Sequence, residues 1–319
     1  MASFGDLNRV NTNIQSLDSQ LSLNKINKQM AENQLKMSTG KRINRAEDDS
    51  AGFSIATKLR SRIGGLNQAM QNVGDAKSVL DIAESSFGTV MDNLVEMKGL
   101  ATQAANDTLG EDERSFIGDQ LKALGEDINK IADQTVYQDY ELLNGGTAGM
   151  TGDLSLTFQV GERESDTIEA DLTAVNVGEL FASGGDADLG AGTTAGGASV
   201  GGAAIDASAA TTSGQGTLTF ATDANSADYR SFISSVDSAI TTMSENVNDI
   251  GITQSSLSVR EQTLSESISA NESAKSRIMD TDFAKAQSES VRLQILQQTA
   301  TSSLAQANNG PQSVLGFIG

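Results

Sequence analysis

Histidine and cysteine are both absent from the 319-residue chain, and each absence removes whole classes of chemistry. There is no Cys or His nucleophile, no His general base, no thiolate or imidazole zinc site and no Cys-ligated iron–sulfur cluster. Carboxylate sites for calcium or magnesium survive that cut, but no EF-hand spacing occurs, so neither a metal nor a cofactor is expected. Disulfides are impossible, and the redox compartment leaves no trace in the cysteine pattern. Trp is missing, aromatics make up 4%, and proline occurs once, at Pro311. Long helices are therefore permitted, and they would pack through Leu, Ile, Val, Met and Ala. No run of 18 apolar residues exists to span a membrane. The amino end, MASFGDLNRVNTN, has no apolar stretch behind a basic start, so no cleaved signal peptide is expected.

What charge there is lies unevenly. The formal net charge is −20, which argues against general nucleic-acid binding and favours solubility. Residues 1–60 carry nine basic and six acidic side chains, and residues 270–319 carry four of each. Residues 145–228 hold twelve acids and one base, Arg163, amid Gly, Ala, Ser and Thr. That middle segment is expected to face water.

The flanks carry helical periodicity. Val73, Ala76, Leu80, Ala83, Phe87, Val90, Leu94, Met97, Ala101 and Ala104 alternate steps of three and four, a coiled-coil seam on a helix over about 66–106. Ile117, Leu121, Leu124, Ile128 and Ile131 form a second stripe after a polar break, consistent with a helical hairpin. Tyr229, Ile233, Val236, Ile240, Met243, Val247, Ile250, Gln254 and Leu257 repeat the rhythm, and Leu264 and Ile268 extend it. A last stripe runs from Met279 through Phe283 and Leu293 to Ala307. At the amino end, Ile14, Leu17, Leu21, Leu23, Ile26, Met30, Leu35 and Met37 form a broad apolar face with no partner next to it in sequence. Such a face must be buried somewhere. A closed bundle inside one chain and an interface formed only on self-assembly satisfy the pattern equally. In the middle, DLSLTFQVG (153–161) and GTLTFATD (216–223) alternate at period two and read as short strands. The Gly- and Ala-rich stretch between them is too poor in large apolar residues to bury much.

Few residues offer chemistry. Asp48 and Asp49 are adjacent and point to different sides of a helix, so they read as part of a turn in which acids answer Lys41, Arg42 and Arg45. No glycine cluster takes the phosphate-binding form, and Ser61 beside Lys58 lacks an oxyanion context. No catalytic residue is assigned and the chain is not expected to be an enzyme. Arg60 and Arg62 beside Gly64-Gly65 suit an acidic partner, for which another copy of this chain is well fitted.

Two long motifs at opposite ends resemble bacterial flagellin. NTNIQSL (11–17), LKMSTGKRINRAEDDSAGFSIATKLRSRIGGLNQA (35–69) and GLATQAANDT (99–108) follow the family's amino-terminal order. SRIMDTDFAKAQSESVRLQILQQTATSSLAQANNGPQSVLGFIG is similar to its closing signature. The resemblance implies a mostly α fold, a long antiparallel coiled-coil bundle formed by both termini with a small β-containing inserted outer domain. It implies filament-core helices over 1–40 and 272–319, a helical bundle over 41–144 and 229–271, and a variable acidic outer domain over 145–228. It implies a structural subunit that self-polymerises into the extracellular flagellar filament used for swimming. A hook–filament junction protein, or a subunit whose middle domain is adhesive, is the alternative. Implied partners are many copies of the chain, flagellar junction and cap proteins, an export chaperone and the flagellar export apparatus, with no nucleic acid and no membrane insertion. Subunit-interface candidates carried over are Ile14, Leu17, Leu21, Arg42, Asn44, Asp48, Asp49, Phe283, Leu293, Leu296, Leu304, Val314 and Leu315. The positions that an innate flagellin receptor reads as charged in many members are here Glu96, Gly99 and Gln120, so recognition is expected to be weak.

Overall fold

The computed structural model describes residues 13–138, 140–144, 154–182, 205–208, 216–221 and 224–318. Its chain forms two compact units, one of residues 1–64 with 268–319 and one of residues 65–267. The elements are α1 (Ile14–Thr39), α2 (Ser50–Ala104), α3 (Glu111–Gln134), β1 (Val136–Tyr137), β2 (Tyr140–Glu141), β3 (Leu154–Gln159), β4 (Thr167–Leu172), α4 (Val177–Ala182), β5 (Ile205–Ser208), β6 (Thr217–Phe220), α5 (Ser226–Met279) and α6 (Phe283–Ile318). Most of the described chain is helical and the sheets are three separate two-stranded antiparallel hairpins, β1-β2, β3-β4 and β5-β6.

In the larger unit the seam from Val73 to Ala104 is buried at every position, with each of its ten side chains fully covered. Its partner is the portion of α5 in the same unit, running antiparallel. Lys77 pairs with Glu261 at 2.9 Å, Gln254 donates to Asp81 and Glu84 at 3.0 and 2.8 Å, and Lys98 pairs with Asp237 at 2.6 Å. These surface links set register and contribute little energy singly. On α5 every seventh residue, Tyr229, Val236, Met243, Ile250, Leu257 and Leu264, is buried, while Ile233, Ile240, Val247 and Gln254 are half-buried. One position of each heptad therefore points into the core and the other flanks it.

The third helix, α3, buries Ile117, Leu121 and Ile128 and leaves Leu124 and Ile131 half-buried. Between them Gly118 and Gly125, one heptad apart, open its surface. A Cβ on Gly118 would lie 3.1 Å from Phe220 Cβ, and one on Gly125 would lie 3.0 Å from Leu218 Cδ1. Strand β6 rests in that gap. Around it Phe181, Phe220, Tyr229 and Phe232 stack and meet edge-on at centroid distances of 5.4–6.0 Å, so four of the chain's aromatics gather at one spot.

The flanks of the middle segment thus depart from the expectation that it faces water. Leu172, Val175, Val177 and Leu218 are buried against the helices. The reason is local: the α3 glycines and a chain of buried amides hold them there. Asn129 Nδ2 donates to Gly216 O at 2.7 Å while its Oδ1 accepts from Val177 N–H at 2.9 Å. Asn176 links to Asn144, and Asn144 to Asp133. Replacing Asn129 with Ala leaves both backbone groups unpaired and is expected to cost about 1–3 kcal/mol. Denaturant unfolding of the full chain checks this, and a change below about 0.5 kcal/mol contradicts it. Strands β3 and β6 arise within the two alternating segments, but each pairs with a strand of different pattern, β4 and β5 respectively. The poorly apolar stretch between α4 and β6 falls largely outside the described residues.

In the smaller unit α1 and α6 lie antiparallel. Asn33 donates to Ala286 O at 2.8 Å, Gln297 to Asn27 Oδ1 at 2.9 Å and Asn13 to Ala307 O at 2.8 Å. The α6 seam buries Ala286, Leu293 and Ala307, and α1 meets it with Ser16, Ser19, Leu23, Ile26, Met30, Asn33 and Met37, all half-buried. The continuous stripe expected from Met279 to Ala307 is interrupted: α5 ends at Met279 and α6 starts at Phe283. Asp282 accounts for the restart, because its Oδ1 accepts the N–H groups of Ala284 and Lys285 at 2.9 and 3.2 Å as a helix N-cap.

Candidate assembly site

The signature stretch after α1 folds into a short, heavily hydrogen-bonded loop. Gly40 ends α1 in the left-handed region at φ 70°, a conformation that glycine adopts without cost. The chain then pairs with the segment joining α5 to α6. Arg42 N–H donates to Met279 O at 2.6 Å, Thr281 N–H to Gly40 O at 3.0 Å, and Lys41 bridges Asp280. The Arg42 guanidinium donates to Ile278 O at 2.8 Å.

The acidic pair divides its work. Asp48 Oδ2 accepts the backbone N–H groups of Asn44 and Arg45, both at 2.9 Å, and Asn44 in turn donates to Lys41 O. Asp49 precedes α2 and caps it, taking Gly52 N–H at 2.9 Å. That cap explains why α2 starts at Ser50 and not near 66, where the spacing of the apolar seam puts the start of the helix. Of the turn's three basic residues, only Arg45 answers a carboxylate among the described residues, Glu47 at 3.2 Å, so the turn is held by carboxylates on amides more than by side-chain ion pairs. Ile43 is the loop's one fully buried side chain.

The backbone amides of Arg45 and Asn44, in that order, hold the Asp48 carboxyl below the usual carboxylate range. A depressed folded-state value means that the contribution to stability is present above the unfolded-state value and is lost as pH falls through the folded one. The difference in melting temperature between the native chain and Asp48→Asn is therefore expected to shrink as pH is lowered from neutral to about 3. A difference unchanged across that range would contradict the role.

The candidates group into three sets. Arg42, Asn44, Asp48 and Asp49 come together in this loop. Leu293 is buried in the α1–α6 seam, with Ile14 and Leu304 half-buried. Leu17 (58% exposed), Leu21 (71%), Phe283 (58%) and Leu296 (40%) stand in solvent, joined by Val291 and Ile295. Val314 and Leu315 fall in the last stretch of α6, outside the residues whose side chains are described. Gly52 and Asp282 were not singled out from sequence, although an Asp or Gly at a helix boundary is the signal that marks them. Helix α1 buries no residue at all, so its apolar stripe is only partly covered within one chain. Among the described residues no group of three or more acidic side chains is arranged to hold a metal ion, and no helix is long and apolar enough to cross a membrane.

Comparison with known proteins follows the two helical flanks. Residues 10–148 match the family model for the bacterial flagellin N-terminal helical region, and residues 233–318 match that for the C-terminal helical region. Flagellin of Halalkalibacterium halodurans is 32% identical over 283 residues, covering 89% of each chain. Flagellin of Listeria monocytogenes is 30% identical over 310 residues, covering 97% of this chain and 99% of its own. Among solved structures, a Vibrio parahaemolyticus chain provisionally described as flagellar hook-associated superposes with a TM-score of 0.53 at 13% identity. It covers 73% of this chain and 100% of its own, a likeness of fold alone.

Proposed function

The chain belongs to the bacterial flagellin family, whose members build the extracellular filament of the bacterial flagellum, and from that premise we propose how its parts serve as a filament subunit. Residues 1–40 and 272–319 form the filament core, 41–144 and 229–271 the layer around it, and 145–228 the exposed outer part. The observation that carries this is the α1–α6 pair: it buries one seam, in which no α1 side chain is fully covered, while Leu17, Leu21, Ile295 and Leu296 remain in solvent. Burying a leucine of that kind between copies is favourable by about 1.5–3 kcal/mol, repeated at every subunit. The candidates in the 40–52 loop, from Arg42 to Asp49, shape and rim a second contact surface. The family is one of structural proteins, and the relatives near 30% identity are filament flagellins, which favours the filament subunit over the hook–filament junction protein.

Electron microscopy of the full chain, seeded or salted out, tests the assignment beside a version lacking 1–40 and 280–319. Filaments from the full chain only are expected. Filaments from the truncated chain would overturn it.

The finer partners rest on the same family membership: junction and cap proteins at the filament ends, an export chaperone on the carboxyl-terminal helix and the export apparatus. Recognition by the innate flagellin receptor is weak, because Glu96, Gly99 and Gln120 are exposed without the charge pattern that the receptor reads in many members. A reporter-cell assay is expected to respond poorly, and a full response at low concentration would contradict this.

A further inference from the structure

We propose that the groove between α1 and the 41–48 loop receives, from a second copy of the chain, the face of α3 centred on Phe116. The inference rests on the filament-subunit reading and specifies one of its contacts.

Charge decides which surfaces of two copies attract. The unit of residues 1–64 and 268–319 carries fourteen basic and ten acidic side chains, net +4, whereas residues 65–267 carry eight basic and thirty-two acidic, net −24. Contacts between two larger units are opposed by like charge, and a contact from the smaller unit of one copy to the larger unit of another is favoured.

The groove has a volume of about 730 Å³ and lies wholly in the smaller unit. Leu35 and Ile43 give it an apolar floor, and Lys28, Lys36, Arg42 and Arg45 stand around it. Three carboxylates also line it, but each is engaged. Glu32 lies 3.9 Å from Lys28, Glu47 is 3.2 Å from Arg45, and Asp48 accepts two backbone amides. Lys36 and Arg42 make no ion pair among the described residues, and with four cations against three carboxylates the groove keeps a net positive charge over an apolar floor.

The complementary surface is on α3. Phe116 is 67% exposed, the most exposed large side chain among the described aromatics. One turn before it stand Asp112 and Glu113, and one turn after it Asp119, all exposed and none in an ion pair among the described residues. A ring flanked by three carboxylates matches a floor flanked by unpaired cations. An aromatic anchor seated in a pocket with a charged rim is the form that strong interface contacts take. The α3 helix is rigidly based, since Ile117, Leu121 and Ile128 on its other side are buried in the larger unit.

Because the chain has no cysteine, the contact can be tested by single introduced thiols in the full-length protein. Chains carrying Ala31→Cys, in the groove, and chains carrying Gln120→Cys, one turn beyond Phe116, are mixed, polymerised and treated with a mild oxidant. A disulfide-linked heterodimer is expected in mixed filaments and not in the unpolymerised mixture. Separately, Arg42→Glu is expected to raise the critical concentration for assembly by about tenfold or more, with recovery when Asp119→Arg is added in the same chain. Filaments without a heterodimer, or no recovery in the double variant, would overturn the contact while leaving the filament reading intact. Failure of the unmodified chain to polymerise would overturn the filament reading and the contact with it.

Discussion

Phe87→Ala is expected to destabilise the larger unit by about 3–5 kcal/mol. Phe87 sits at the middle of the α2 seam and is fully buried, flanked one heptad away by Leu80 and Leu94, which are equally covered. Aromatics are scarce in the chain, and this ring fills space that the surrounding Ala83 and Val90 are too small to reclaim. The cavity would therefore persist, and the loss would combine the transfer of the ring to water with the lost contacts of its neighbours. Ile82, 39% exposed on the same helix, provides the control: Ile82→Ala should cost well under the Phe87 value. Denaturant unfolding of both variants separates the cases, and equal losses would mean that the seam does not carry the unit's stability.

Gly52→Val is expected to block assembly while sparing the larger unit. Glycine within the first turn of a helix normally costs stability relative to Ala, by roughly 0.5–1 kcal/mol, so replacement would ordinarily help. Here the opposite term wins. A Cβ at this position would lie 2.6 Å from Asp49 Oδ2 and 2.7 Å from Ile43 Cδ1. Neither atom can move cheaply: Asp49 holds the Gly52 N–H as the α2 cap, and Ile43 is buried beneath the loop. Overpacking costs about 1–3 kcal/mol, and a displaced cap adds about 1 kcal/mol. The rim of the groove beside α1 would be displaced with it. Gly64→Ala is the matched control, since nothing lies within 4 Å of its added carbon; it should polymerise as the native chain does. Normal filaments from Gly52→Val would show that the loop's geometry is dispensable.

The helical core was legible because it obeys a period. Every residue of the Val73–Ala104 seam is buried as its spacing implies, and on α5 every seventh residue from Tyr229 to Leu264 is buried too. Spacing speaks only for the buried face, however, so it missed where helices begin and end. Helix α2 starts at Ser50 because Asp49 caps it, and the last stripe splits at Asp282 because that carboxylate caps α6. The docking of β6 onto α3 was hidden for a different reason. Gly118 and Gly125 offer no apolar signal, and what they provide is room for a strand distant in sequence. The same holds for Asn129, whose role exists only once Gly216 and Val177 are brought to it. At the candidate assembly site, composition identified the charged loop, but the roles of Asp48 and Asp49 as acceptors of backbone amides belong to the folded turn. Leu17 and Leu293 each belong to an apolar stripe of a terminal helix, yet one is exposed and the other buried, because α1 and α6 each present a single seam to the other.

The most direct test of the account is amide hydrogen exchange over α1 and α6 in the monomer and in the assembled filament. Fast exchange is expected in both helices of the monomer, where α1 has no buried residue, and strong protection around Leu17, Leu21 and Leu296 once copies pack together, while the α2 seam is protected in both states. Full protection of α1 and α6 in the monomer, unchanged on assembly, would contradict it and show that the chain closes its own bundle.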